Sequence, residues 1–146
     1  MTNRFPRRVS VLAFLMFSLC ASVWAAKKPA SKEELIKEAT HIITAKVVEV
    51  TSKIERSKFE KGAGNRDEVF SIRVKVESPA KGKDIKLGDE ILVIAWKAHT
   101  RIGAAKVAWQ GHDPIPKKGQ VATFYLKKDG KKFEPIMPNG IVMKEK

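Results

Sequence analysis

Glu68–Glu77, EVFSIRVKVE, decides the fold. Phe70, Ile72, Val74 and Val76 alternate strictly with Ser71, Arg73, Lys75 and Glu77. Side chains of a strand point alternately to its two faces, so this segment reads as a β-strand with one buried face and one wet face. Upstream, His41–Thr51 is rich in β-branched residues and reads as a preceding strand. Its alternation runs through Ile43, Ala45 and Val47, then slips by one to Val48 and Val50, as a β-bulge requires. Between the two, Lys53–Asp67 is polar and basic and reads as a long hairpin loop or frayed strand ends.

Downstream, Ser78–Gly82 and Leu87-Gly88-Asp89 are turn sequences. Glu90–Trp96 follows as a third strand, apolar on both faces and therefore expected to be the most covered. Lys97–Gly119 is a long connection with room for one short helical turn over Thr100–Val107. Gln120–Lys127 is a fourth strand, Asp129-Gly130 a hairpin turn, and Phe133–Met137 a fifth strand. Pro138-Asn139-Gly140 turns the chain and Ile141–Met143 closes it. A bulged first strand, five strands and a long connection after the third predict a mainly β fold, a small five-stranded OB-like barrel. Ser31 with Glu34 forms a capping-box pattern, which predicts a short N-terminal helix to about Ala39. Such a helix is too short to stand alone and is expected to pack over an open end of the barrel.

The first 25 residues have the order of a secretory signal peptide. Arg4, Arg7 and Arg8 make a basic start without an acidic residue, and Val9–Val23 is apolar apart from Ser10, Ser18 and Ser22. Val23 and Ala25 stand at the −3 and −1 positions of a cut that makes Ala26 the first mature residue. The 15-residue run is shorter than the roughly 20 residues a spanning helix needs, so no transmembrane anchor is expected after cleavage. Lipid attachment at Cys20 is disfavoured by the bulky Leu19 before it, and Arg7-Arg8 reads as ordinary leader charge. The expected organisation is a leader over 1–25, a flexible lead over 26–30 and one domain over 31–146, exported to the periplasm or beyond.

Cys20 is the only cysteine, so the expected mature chain has none. Disulfides, thiol catalysis and thiolate metal sites are thereby excluded, and the core alone must hold the domain. The full chain carries 29 Lys+Arg against 16 Asp+Glu, a net +13. Loss of three leader arginines leaves 26 basic against 16 acidic residues, a net +10. Most of the excess is Lys, including Lys81, Lys83, Lys117, Lys118, Lys127, Lys128, Lys131 and Lys132 in loops or strand ends. Such a balance suits either a solubilising surface or loose attraction to an anionic polymer, glycan or nucleic acid. Specific phosphate recognition favours the planar fork of Arg, and little Arg is present.

The segments Ala39–Val50, Phe70–Glu77 and Lys86–Val93 together resemble a class of exported bacterial domains with the OB-like barrel of the netrin and tissue-inhibitor-of-metalloprotease type. Pro116–Gly119, Ala122–Leu126 and Pro138–Gly140 are similar to small secreted bacterial proteins of unassigned function. The resemblance covers roughly Ser31–Met143 and implies the fold. The animal domains begin with a cysteine that can meet a metal and are held by disulfides, so their route to protease inhibition does not carry over to a cysteine-free chain. Fold alone licenses no function.

Trp96, His99, Arg101, Lys106, Trp109 and His112 gather in one connection and form the candidate ligand-binding surface. Aromatic faces beside cations can stack on a sugar or a base. The competing reading makes Trp96 and Trp109 core residues and leaves the loop histidines in solvent. His99 and His112 lie 13 residues apart, a spacing without a compact metal-ligand pattern, so neither a metal nor a cofactor is expected. No Gly-x-Ser-x-Gly elbow and no phosphate-cradling glycine loop is present. The sequence thus favours a non-enzymatic exported binding domain. Its alternatives are a small hydrolase whose site is assembled from loops, which convergent His and Asp side chains would favour, and a structural protein of the envelope.

Overall fold

The alternating segment does form a strand with one buried face, the second of six, in a computed structural model that describes residues 28–58, 64–102 and 111–145. The elements are α1 (Lys32–Glu38), β1 (His41–Arg56), β2 (Arg66–Lys81), β3 (Glu90–Thr100), β4 (Val121–Asp129), β5 (Lys132–Pro135) and β6 (Ile141–Met143). The sheet order β1-β2-β3-β5-β4 closes on itself because β1 also pairs with β4. This five-membered ring is the OB-like barrel expected from the sequence. β6 adds to β4 on the edge that β5 occupies further along: Ile141 faces Phe124 where Pro135 faces Leu126. The fifth position of the ring is therefore one strand interrupted at 136–140.

β1 can serve two neighbours because it bends. Val47 faces Val74 and Glu49 faces Arg73, so Val48 is an extra residue and the bulge falls where the alternation slips. Before it, Ile43, Ala45 and Val47 point inward to meet Ile72, Val74 and Val76 of β2, Val93 and Ala95 of β3, and Phe124 and Leu126 of β4, all essentially buried. Full burial of each large side chain contributes about 1.5–3 kcal/mol relative to exposure.

β3 and β5 meet at a single parallel pair, Val93 with Phe133. The segment from Gly111 to Gln120 reinforces this thin seam. Gly111 bridges to Lys97, His112 N–H donates to the Trp96 carbonyl at 2.8 Å, and Asp113 N–H donates to the Pro138 carbonyl at 2.9 Å. Pro116 is fully buried, and Gly119 N–H reaches the Val47 carbonyl at 2.8 Å. The strap starts where only glycine fits: Gly111 has φ 104°, and a Cβ there would lie 2.3 Å from the Trp96 carbonyl oxygen.

Several expectations need correction. α1 does not cover an open end. Its Leu35, with Ala39 just past its end, packs with Tyr125 and Ile136 in a cluster separate from the barrel core. Tyr125 and Ile42 are one residue out of phase with the inward Phe124 and Ile43, so the helix lies on the outer face of the β1–β4 pair. The capping box is present, with Ser31 Oγ accepting from Glu34 N–H at 3.2 Å and Glu34 Oε2 accepting from Ser31 N–H at 2.7 Å. The lead ahead of it is fastened at Ala30, whose N–H and C=O both bond the Asn139 side chain.

β3 is not the most covered strand: Leu92 is 41 % exposed on its outer side, beside Arg73. That place belongs to β4, paired on both edges and covered by α1. β2 continues through Pro79, because β3 stops at Lys75 and no strand needs a donor from the proline there. β1 and β2 also extend far into the expected loop, to Arg56 and from Arg66. With β3 they form a three-stranded arm that projects beyond the barrel, because β4 leaves the β1 edge after Lys46.

Candidate functional site

Of the four described residues among the six expected to form one surface, Trp96 and His112 meet, while His99 and Arg101 are directed elsewhere. Trp96 lies half-buried on the outer face of β3, edge-on to the His112 ring with centroids 6.2 Å apart. His99 lies on the opposite face, since it stands three positions beyond Trp96 on the strand, and its Nδ1 is 2.8 Å from Thr100 Oγ1. Arg101 is drawn into an ion pair with Asp67 at 2.5 Å, the two side chains being 12 % and 4 % exposed. Its guanidinium also donates to the carbonyls of Arg66 and Thr100. Lys106 and Trp109 lie outside the described residues.

His112 is not a solvent histidine: the residue is 3 % exposed. Its Nε2–H donates to the Pro135 carbonyl at 2.9 Å, which fixes the tautomer, and Nδ1 accepts from Trp96 N–H at 3.1 Å. The neutral ring thereby ties β3 to the end of β5 beside their thin seam. Burial pushes its pKa below the ordinary 6.5, against the opposing pull of its backbone hydrogen bonds. The unfolded chain therefore takes up a proton below about pH 6.5 that the folded chain resists, and stability, full above that value, declines as the pH falls. Urea unfolding followed from neutral to mildly acidic pH should show this decline. It should flatten in His112→Gln, whose amide can still donate to Pro135; an identical pH slope in the variant would contradict the assignment.

His41 is also buried and organises one end of the barrel. Nε2–H donates to Asp84 Oδ1 at 2.6 Å, and Nδ1 lies 2.8 Å from the Thr40 hydroxyl, which donates to the Leu126 carbonyl at 3.2 Å. The Lys128 ammonium holds the second Asp84 oxygen, and Phe133 meets the imidazole edge-on at 5.1 Å. Hydrogen bonds from Lys128 and His41 keep the Asp84 carboxyl well below the usual range, so its contribution is lost only in strong acid, below its ordinary 3.8. The hydroxyl, imidazole and carboxylate do converge, as a hydrolase needs. Yet Gly82 roofs the ring so closely that a Cβ would lie 2.2 Å from His41 Cδ2, and the Thr40 oxygen already accepts from Lys128 N–H at 3.2 Å. The geometry is that of a closed barrel end.

A different feature emerges from strand register. On the outer face, Lys46 of β1 stands directly opposite Lys75 of β2 and, on its other edge, opposite Val121 of β4. Lys144, just after β6, is bonded through its N–H to the Val121 carbonyl at 3.1 Å. Outward alternation thus aligns Glu90, Lys75, Lys46, Val121 and Lys144 across neighbouring strands, with the acidic Glu90 of β3 opposite Lys75. The adjoining row contains Ser78, Thr44 and Thr123, with the Thr44 and Thr123 hydroxyls 3.3 Å apart. Lys117 and Lys118 sit in the turn that delivers Gly119 and Gln120 to Val47. All five lysines are exposed, and among the described residues none of the five forms an ion pair with a carboxylate.

Directly opposed residues have Cβ atoms about 4.5–5.5 Å apart, and like charges so placed destabilise a sheet. Here three lysines and three hydroxyls form a surface rich in hydrogen-bond donors. The sequence conceals this grouping because each member reads only as the wet face of its own strand. No cluster of three or more His, Cys, Asp or Glu side chains suited to a metal ion occurs among the described residues. Comparison with protein families, with curated protein sequences and with solved structures yields no match, so the site is read from its own chemistry alone.

Proposed function

We propose that this chain is an exported, non-enzymatic barrel domain that binds an anionic polymer on the lysine and hydroxyl face of β2, β1 and β4. The carrying observation is the exposed pair Lys46 and Lys75, held opposite each other and extended by Lys144, with one carboxylate, Glu90, in register on the far edge of Lys75 and no ion pair formed with it. A sheet that keeps like charges in register gives up stability unless an anion neutralises them. Sulfate, phosphate or carboxylate groups spaced along a polymer supply that charge, and Thr44, Thr123 and Ser78 offer hydroxyl donors beside it. The ammonium groups act as point charges, so affinity rests on counterion release more than on shape. The leader-like segment supports an envelope or extracellular polysaccharide over a nucleic acid.

The proposal predicts opposite signs for stability and binding. Lys46→Glu places a carboxylate opposite Lys75 and should stabilise the fold by about 0.2–1 kcal/mol. The same change should weaken heparin binding and lower the slope of log affinity against log salt by roughly one or more. Thermal melting and heparin titration at several salt concentrations check both. Unchanged heparin affinity would refute the site, and equal response to single-stranded DNA would move the ligand class from glycan to polyanions in general.

A further inference from the structure

Among the described residues, the edge of β1 that faces away from β2 has no partner strand after the β4 pairing ends at Lys46 and Val47 meets Gly119 and Gln120. From Val48 to Arg56 it runs along the projecting arm, and among the described residues no strand joins it. Ile54, an apolar side chain on this edge, is 48 % exposed. An open strand edge presents unpaired N–H and C=O groups and is a template for another strand. We infer that the β1 edge of the arm pairs antiparallel with the same edge of a second copy of this chain, about a two-fold axis through Ile54.

Symmetry limits the registers. An antiparallel pair related by a two-fold axis must place residues of equal parity opposite each other, because opposed side chains lie on the same face of a sheet. The axis therefore passes through a residue meeting its own copy. At Lys53 or Glu55 it would oppose like charges. At Ser52 it would set Glu49 against Glu55 twice and bring Ser57 against Val47, where Gly119 and Gln120 already bind. At Thr51 or nearer the barrel, the partner's arm would run into Gln120 and β4.

At Ile54 every close pair is compatible. Ile54 meets Ile54, Lys53 meets Glu55 twice, and Ser52 meets Arg56 twice. Lys53 and Glu55 already form an ion pair within one chain, so the two copies complete a ring of alternating charge. The two arms become one continuous six-stranded sheet. Ala45, in the barrel core, is nine residues from the axis, roughly 30 Å along the strand, and the barrels project in opposite directions without collision. Only about five residues of each strand pair, so the dimer is weak and concentration-dependent.

Sedimentation of the full chain up to about 1 mM tests the inference. Self-association is expected there and should be lost in Lys53→Glu and in Glu55→Lys, both of which oppose like charges. The double variant Lys53→Glu/Glu55→Lys should restore it, since the charges are again opposite. In a Cys20→Ala background, Ile54→Cys should form a disulfide-linked dimer on mild oxidation, because the two residues 54 face each other on the axis. Unchanged melting of each variant shows that the fold is kept. A monomer across the whole range, or a dimer indifferent to both charge changes, would overturn the inference. Neither result bears on the lysine face, which lies on the barrel.

Discussion

Replacing Val74 with Asp abolishes cooperative unfolding. Val74 is fully buried at the centre of β2, between Val47 of β1 and Ile91 of β3. A carboxylate there would have apolar neighbours and no cation, and the effective penalty for an unpaired buried ion is several kcal/mol. The total stability of a domain of this size is about 5–15 kcal/mol, so one such charge consumes much or all of it. Val74→Ala removes only two methyl groups and should lower stability by about 2 kcal/mol while leaving a two-state transition. Near-ultraviolet circular dichroism during thermal melting distinguishes the two. A Val74→Asp protein that melts like the parent would contradict the inward face of β2.

Arg101→Ala should destabilise the domain by about 3–5 kcal/mol, because it leaves the buried Asp67 carboxylate without its cation. Asp67 belongs to β2 and Arg101 follows β3, so their pair locks the outer end of the arm. Asp67→Ala/Arg101→Ala should recover part of the loss, since no lone charge then remains buried. Urea denaturation of the single and double variants measures the coupling. A surface ligand-binding arginine would behave differently: its removal would alter stability by no more than about 0.5 kcal/mol.

The barrel is legible in the sequence wherever burial imposes a pattern. Phe70, Ile72, Val74 and Val76 reveal β2 because one face must be apolar, and the slip after Val47 reveals the bulge because the buried side continues one residue out of phase. Ser31 and Glu34 announce their helix because a capping box is local. The arm is not legible. Ser52, Lys53, Ile54, Glu55 and Arg56 form strand through backbone pairing with β2, with little burial to imprint alternation. The position of α1 is set by Tyr125 and Ile136, more than eighty residues distant in the chain, and no local signal points to them.

The described candidate residues are only partly brought together, for a related reason. Proximity in sequence grouped Trp96, His99, Arg101 and His112, but strand alternation sends Trp96 and His99 to opposite faces. Burial then claims Arg101 and His112 for structural pairs. The lysine face has the reverse history: Lys46, Lys75 and Lys144 are far apart in the chain and become neighbours only through register.

The most direct test of polyanion binding on that face is a titration of the isotope-labelled protein with a heparin oligosaccharide, followed residue by residue by amide chemical shifts at low and physiological salt. The account predicts salt-sensitive shifts concentrated at Thr44, Lys46, Lys75, Thr123 and Lys144. Shifts confined to the surroundings of Trp96 and His99, or no shifts at low salt, would contradict it.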